Sequence, residues 1–60
     1  MYKLTVTKTG NVFTIPKQNL GLFAFTQAQD RGMVIDFRNH DVVVKFLASI
    51  GILVGEENGD

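Results

Sequence analysis

The feature that most constrains this chain is its lack of cysteine within a length of only 60 residues. A domain of this size buries only about 60% of the surface that its unfolded chain exposes, so its core alone gives marginal stability. Disulfide bonds and thiolate zinc sites, which often compensate in small domains, are excluded without cysteine. The chain must therefore rely on an efficient apolar core or on association with another chain.

The composition is that of a folded domain rather than a disordered segment. Apolar residues make up 45% of the chain, and six basic residues balance six acidic ones. Disordered segments instead combine low hydrophobicity with high net charge. Three of the acidic residues, Glu56, Glu57 and Asp60, lie in the last five positions. We therefore predict one compact domain over residues 1–55 and an acidic flexible tail over residues 56–60.

The first fifteen residues predict a β-hairpin. From Tyr2 to Lys8, apolar and polar side chains alternate with the period of a half-buried strand. Residues 9–11, Thr-Gly-Asn, tolerate the positive φ that a tight turn requires. Residues 12–15 then return as the second strand, with Phe13 and Ile15 expected on the core face. Pro16 ends this strand because it cannot donate a hydrogen bond to a sheet.

Two later segments predict helices. Residues 17–31 carry apolar side chains at helical spacing, and Gly32 follows at a typical C-terminal position. A strand over residues 20–26 stays open, because Gly21 weakens a helix by about 1 kcal/mol relative to alanine. A second helix is predicted after the polar cluster 39–41. Its three consecutive valines keep a strand open over residues 42–54, since β-branched side chains lose rotamer freedom in helices.

Between these helices, Met33–Phe37 alternates again and predicts a third strand, with Met33, Ile35 and Phe37 facing inward. Residues 52–54 form either a short last strand or a packed end. The predicted order is ββαβα. This is an α+β fold in which the N-terminal hairpin and the third strand form a sheet, with two helices packed on one face.

The polar residues match no catalytic or metal-binding pattern. A serine triad would need Ser49 and His40 with an aspartate, but Ser49 stands among apolar residues of a predicted helix. His40 has only Asp36 and Asp41 as nearby co-ligands, and the glycine spacings fit no phosphate-binding loop. We therefore predict a protein that is not an enzyme and that needs neither a cofactor nor a metal.

No targeting segment precedes the hairpin, and Met1 is expected to be the natural start of a complete chain. The longest apolar stretch, residues 42–54, is interrupted by Lys45. It is also too short to cross a bilayer core of about 30 Å as a helix. These features predict a cytoplasmic protein that does not engage a membrane.

A surplus of apolar residues predicts protein–protein interaction. A hairpin and two short helices cannot bury every apolar side chain, and an exposed remainder marks an interaction site. The predicted interaction residues are Leu22, Phe25, Val34, Val44, Leu53 and Val54. The outer strand of the hairpin also offers an edge for a strand of another chain. A homo-oligomer would further compensate for the small core.

The function expected from these features is that of a regulator or inhibitor that occupies the surface of a partner protein. Small accessory proteins of viruses and mobile elements act in this way. The alternative is nucleic-acid binding through the hairpin lysines, with the predicted set Lys3, Lys8, Lys17, Arg31 and Arg38. Residues 1–55 hold six basic and three acidic residues, a net charge of +3 that is low for a dedicated nucleic-acid binder.

Overall fold

The structure, a computed structural model, describes residues 1–56. Its elements are β1 (Tyr2–Val6), β2 (Asn11–Ile15), a 3₁₀ turn (Lys17–Asn19), α1 (Leu20–Asp30), α2 (His40–Ser49) and β3 (Ile52–Glu56). The strands form one sheet in the order β2-β1-β3, and both neighbouring pairs are antiparallel. Of the predicted tail, Glu56 belongs to β3, and residues 57–60 lie outside the described part of the chain.

The predicted α+β class is confirmed, with a three-stranded antiparallel sheet and two helices. Both helices pack on the same face of the sheet, so the molecule has two layers. The buried core side chains come from β1, β3 and both helices and are Leu4, Leu20, Ala24, Ala28, Val43, Phe46, Leu47 and Ile52. Within residues 1–56, the opposite face of the sheet carries no helix, and it exposes Val12 and Leu53.

The predicted hairpin is confirmed, although β1 ends two residues earlier than its alternation suggested. Residues 7–10 form the loop, in which the Gly10 amide donates to the Val6 carbonyl at 2.7 Å and Gly10 has a φ of 76°. Thr7 does not continue the pairing of β1 with β2, because it bonds to the end of α2 instead. Its amide and hydroxyl both donate to the Gly51 carbonyl, at 2.8 and 3.0 Å, and so attach the end of α2 to the sheet.

The prediction of a strand over Met33–Phe37 is wrong, and β3 takes its place in the sheet. This segment connects the end of α1 to the start of α2, and Phe37 lies against Gly21 at the start of α1. It must therefore run back along a helix about 16 Å long. The Met33 amide is bonded to the Ala28 carbonyl and Phe37 lies against Gly21, so residues 33–36 run about 10 Å back along α1. The chain then turns into α2, and the Asn39 amide donates to the Asp36 carbonyl at 3.1 Å. The alternation thus marks an extended connection without strand partners.

The ends of the helices follow the sequence signals closely. Gly32, with a φ of 70°, closes α1 in a Schellman motif. Its amide donates to the Gln29 carbonyl at 3.0 Å, and the Met33 amide donates to the Ala28 carbonyl at 2.8 Å. At the start of α2, the side-chain oxygen of Asn39 accepts a hydrogen bond from the Val42 amide at 3.3 Å. The prediction of helices in both segments is therefore confirmed.

The two asparagines that precede the helices offer a matched test of capping. Asn39 caps α2 through its side chain, whereas Asn19 precedes α1 without a side-chain cap. We expect Asn39→Ala to lower the free energy of unfolding by about 1 kcal/mol, because the Val42 amide loses its partner. Asn19→Ala should change it much less. Equal losses in urea unfolding of the two variants would contradict the assigned cap.

Candidate functional site

β2 forms one edge of the sheet. β1 is central, and β3, against which α2 packs, forms the other edge. Four of the five residues of β2 are exposed, and none of the five is charged. Proteins usually protect an edge strand with charged side chains, proline, a bulge or a covering helix, because its free backbone groups can pair with another chain. Within β2 itself these protections are missing, and Pro16 follows only after its end.

The backbone of β2 presents free hydrogen-bonding groups at Val12 and Thr14. The Val6 carbonyl accepts from the Gly10 amide, so the backbone groups of Val6 face the β2 side of β1. Backbone groups alternate in direction along a strand, and those of Phe13 therefore point back toward β1. The N–H and C=O groups of Val12 and Thr14 accordingly point away from the sheet. They are the groups with which an added strand would pair.

An apolar groove lies on the helix side of β2, between this strand and α1. It has a volume of about 380 Å³ and is lined by Ile15, Asn19, Leu22, Phe23 and Thr26. The side chain of Leu22 is 60% exposed in it. Phe13 extends the apolar surface from β2, since its ring lies edge-on to the ring of Phe23 with centroids 5.9 Å apart. The groove therefore adjoins the free strand edge.

The six predicted interaction residues do not share one surface. Leu22, Val34 and Leu53 are exposed, whereas Phe25, Val44 and Val54 are half-buried. Val54 packs against the core on the helix face, and Leu53 lies on the opposite face of the sheet. Val34, 92% exposed, stands in the extended connection. Of the six, Leu22 alone lines the groove beside β2.

Phe25 illustrates why the predicted patch is divided. Its ring lies edge-on to the ring of Phe37, with centroids 5.4 Å apart, so it holds the extended connection against α1. The sequence predicted Phe13 and Ile15 on the core face of β2. Ile15 packs against the core and also lines the groove, as Phe23 of α1 does, whereas Phe13 is 36% exposed beside it. None of the three was predicted as an interaction residue. Their positions on the apolar faces of β2 and α1 were correct. The pattern gives the face of an element and not the extent to which a neighbour covers that face.

The five predicted nucleic-acid residues are also dispersed. Lys3 lies on the open face of the sheet, Lys8 in the hairpin loop and Arg31 at the C-terminal end of α1. Only Lys17 and Arg38 come together, at a second cleft of about 350 Å³. The fold therefore presents no continuous basic face through these five side chains, although it does place two of them at one site.

This cleft lies where both helices begin. Its lining includes Tyr2, Lys17, Arg38 and His40. The Tyr2 and His40 rings stack with centroids 5.5 Å apart and an interplanar angle of 29°. Lys17 Nζ donates to Glu56 Oε1 at 2.7 Å. This hydrogen bond raises the pKa of the Lys17 ammonium group and lowers the pKa of the Glu56 carboxyl group, and the opposite charges act in the same directions.

The structure separates the two residues that a serine triad would require. His40 and Ser49 are the first and last residues of α2, about 14 Å apart along the helix axis. The Ser49 hydroxyl donates to the Phe46 carbonyl at 2.6 Å, as a helix serine commonly does. Within residues 1–56, no three potential ligands among His, Cys, Asp and Glu side chains are grouped to hold a metal ion.

Comparisons of the chain with protein-family models, with curated protein sequences and with solved structures found no match. Among residues 1–56, neither helix has the length and apolar content needed to cross a bilayer. Function must therefore be inferred from the surfaces that the described residues form. The two candidates are the β2 edge with its apolar groove and the basic cleft.

Proposed function

We propose that this protein is a non-enzymatic interaction module that binds an extended apolar segment of a partner protein along β2. The observation that carries the proposal is the free, uncharged edge of β2 beside an apolar groove. In β-strand addition, backbone hydrogen bonds supply affinity and pockets for alternate side chains supply specificity. This surface offers both elements next to each other.

The groove defines the chemistry of the preferred segment. Successive side chains of an added strand point to opposite faces of the extended sheet. Those on the helix side would meet Phe13, Leu22 and Phe23, which favour aliphatic or aromatic side chains at alternate positions. Those on the other side would lie beside Val12 and Thr14 near the open face and can be polar. The expected ligand is a strand of alternating apolar and polar residues.

A protein that binds in this way acts by occupancy, which is the mode of a regulator or inhibitor. The same surface can also pair with itself, since β2 of a second copy is an uncharged strand with apolar side chains. Such pairing would join two three-stranded sheets into one of six strands and would enlarge the shared core. A second copy of the protein therefore competes with the partner segment for the same edge.

A selection of random peptides tests the proposal directly and does not require the partner protein. Linear peptides displayed on phage would be selected against the immobilised protein, and bound sequences should alternate apolar and polar residues. Thr14→Pro removes an outward amide that the sheet of the protein does not use, and we expect it to weaken binding at least about tenfold. Thr14→Val keeps the amide and should bind normally.

A second pair of variants tests the groove. Leu22→Asp places a charge in the groove and should also weaken binding at least about tenfold. Leu53→Asp makes the same change at a side chain with similar exposure, 51%, on the opposite face of the sheet, and should leave binding unchanged. Selected peptides that bind Thr14→Pro and Leu22→Asp as well as the unmodified protein would refute the proposal. Sedimentation of the protein alone identifies self-pairing, which Thr14→Pro should then reverse.

A further inference from the structure

The cleft at the start of both helices combines basic side chains with an apolar floor. Its basic side chains come from three separate parts of the chain: Lys17 from the 3₁₀ turn, Arg38 from the connection and His40 from α2. Leu20, Leu22 and Val43 line its apolar part, and the polar side chain of Gln18 also borders the cleft. A volume of about 350 Å³ falls within the range of small-molecule sites, which are mostly apolar with a few convergent polar groups.

One cationic side chain of this cleft has no ion-pair partner within the described residues, although the neighbouring Asp36 carboxylate accepts a hydrogen bond from the Arg38 backbone amide at 3.2 Å. Lys17 is paired with Glu56. The guanidinium group of Arg38 has no carboxylate partner among residues 1–56 and lies over the Phe37 ring, 6.0 Å from its centroid. A planar guanidinium group with free donors fits the two oxygens of a phosphate or carboxylate group. His40, which also lines the cleft, adds a ring N–H donor.

The aromatic side chains of the cleft indicate the shape of the group that would carry such a phosphate or carboxylate. Tyr2 and His40 stack as one wall of the cleft, and Phe37 contributes to another. Gly21 also lines the cleft, and the Phe37 carbonyl oxygen would be 2.8 Å from a Cβ added there. This close approach brings the connection, and with it Arg38, against the first turn of α1. A planar ring of a ligand fits best against aromatic walls of this kind.

We propose that this cleft binds a small aromatic oxyanion, a planar ring that carries a phosphate or carboxylate group. Arg38 binds the oxyanion, His40 and Lys17 add hydrogen bonds, and the ring lies against the apolar floor. This site is separate from the β2 edge and does not depend on the proposed interaction function. Leu22 alone borders both sites.

The experiment is an NMR titration of the ¹⁵N-labelled full chain with phenyl phosphate, benzoate, inorganic phosphate and benzyl alcohol. We expect saturable shifts of the Gly21, Arg38 and His40 amides with phenyl phosphate or benzoate, and the tighter of the two identifies the anion. Benzyl alcohol should not saturate, because it lacks the charge. Inorganic phosphate should bind more weakly, because it lacks the ring. Equal binding of either control would overturn the proposal.

Variants then locate the site. Arg38→Gln should weaken phenyl phosphate or benzoate binding about tenfold or more, the effect of losing a charged hydrogen-bonding partner. Arg31→Gln removes the same type of side chain from outside the cleft and should leave affinity within about twofold. His40→Asn should weaken binding as well and serves if Arg38→Gln does not fold. Unchanged affinity in the folded Arg38→Gln protein would contradict the proposal.

Discussion

Replacing Leu47 with alanine is expected to lower the free energy of unfolding by about 2–5 kcal/mol, the range for leucine-to-alanine changes in cores. Leu47 is fully buried on α2 and belongs to the single core cluster that joins the sheet to both helices. The loss combines the transfer free energy of the removed atoms with the cost of the cavity that they leave. Small domains have a total stability near the lower end of about 5–15 kcal/mol, so much of the variant should be unfolded.

Leu22→Ala provides the matched control for Leu47→Ala. Leu22 lies on the other helix and is largely exposed, so the same substitution removes little buried area. Alanine and leucine also have similar helix propensities. We expect a loss below about 1 kcal/mol in urea unfolding followed by circular dichroism. Similar losses at the two positions would show that the core is not centred where the structure places it.

Replacing Gly21 with alanine is the second change with a large expected effect, and its direction is opposite to that given by helix propensity. In an isolated helix, alanine would be favoured over glycine by about 1 kcal/mol. Here an added Cβ would lie 2.8 Å from the Phe37 carbonyl oxygen, a contact with backbone that no side-chain rotation relieves. We expect a net loss of about 1–3 kcal/mol, the usual cost of overpacking.

The control for Gly21→Ala is Gly55→Ala in β3. The nearest atom to a Cβ at Gly55 is the Lys3 carbonyl oxygen at 3.8 Å, an ordinary van der Waals distance. Gly55→Ala should therefore be close to neutral in thermal unfolding. If Gly21→Ala instead raises the stability of the protein, the connection does not approach α1 as closely as described. Phe37 and Arg38 would then not line the basic cleft in the way described.

The candidate binding surfaces were only partly predictable from the sequence. Strand alternation identified an outer edge on the hairpin, and the surplus of apolar residues identified Leu22. Neither signal could show that the helix side of β2 is left uncovered, which exposes Phe13 beside Phe23. Lys17 and Arg38 were predicted among five basic binding residues, but nothing in the sequence showed that these two share a cleft. Lys17 and Arg38 are 21 positions apart and come together because Gly21 admits the Phe37 backbone.

Local structure was determined by the sequence alone. The hairpin, the Schellman glycine at Gly32 and the cap at Asn39 depend on interactions between residues close in the chain, so short patterns specify them. The third strand was decided by the tertiary structure. Residues 33–37 alternate in sequence and residues 52–56 do not, yet only residues 52–56 have β1 as a hydrogen-bonding partner. Pairing between segments almost fifty residues apart depends on how the helices pack between them, and that packing also determines which side chains remain exposed.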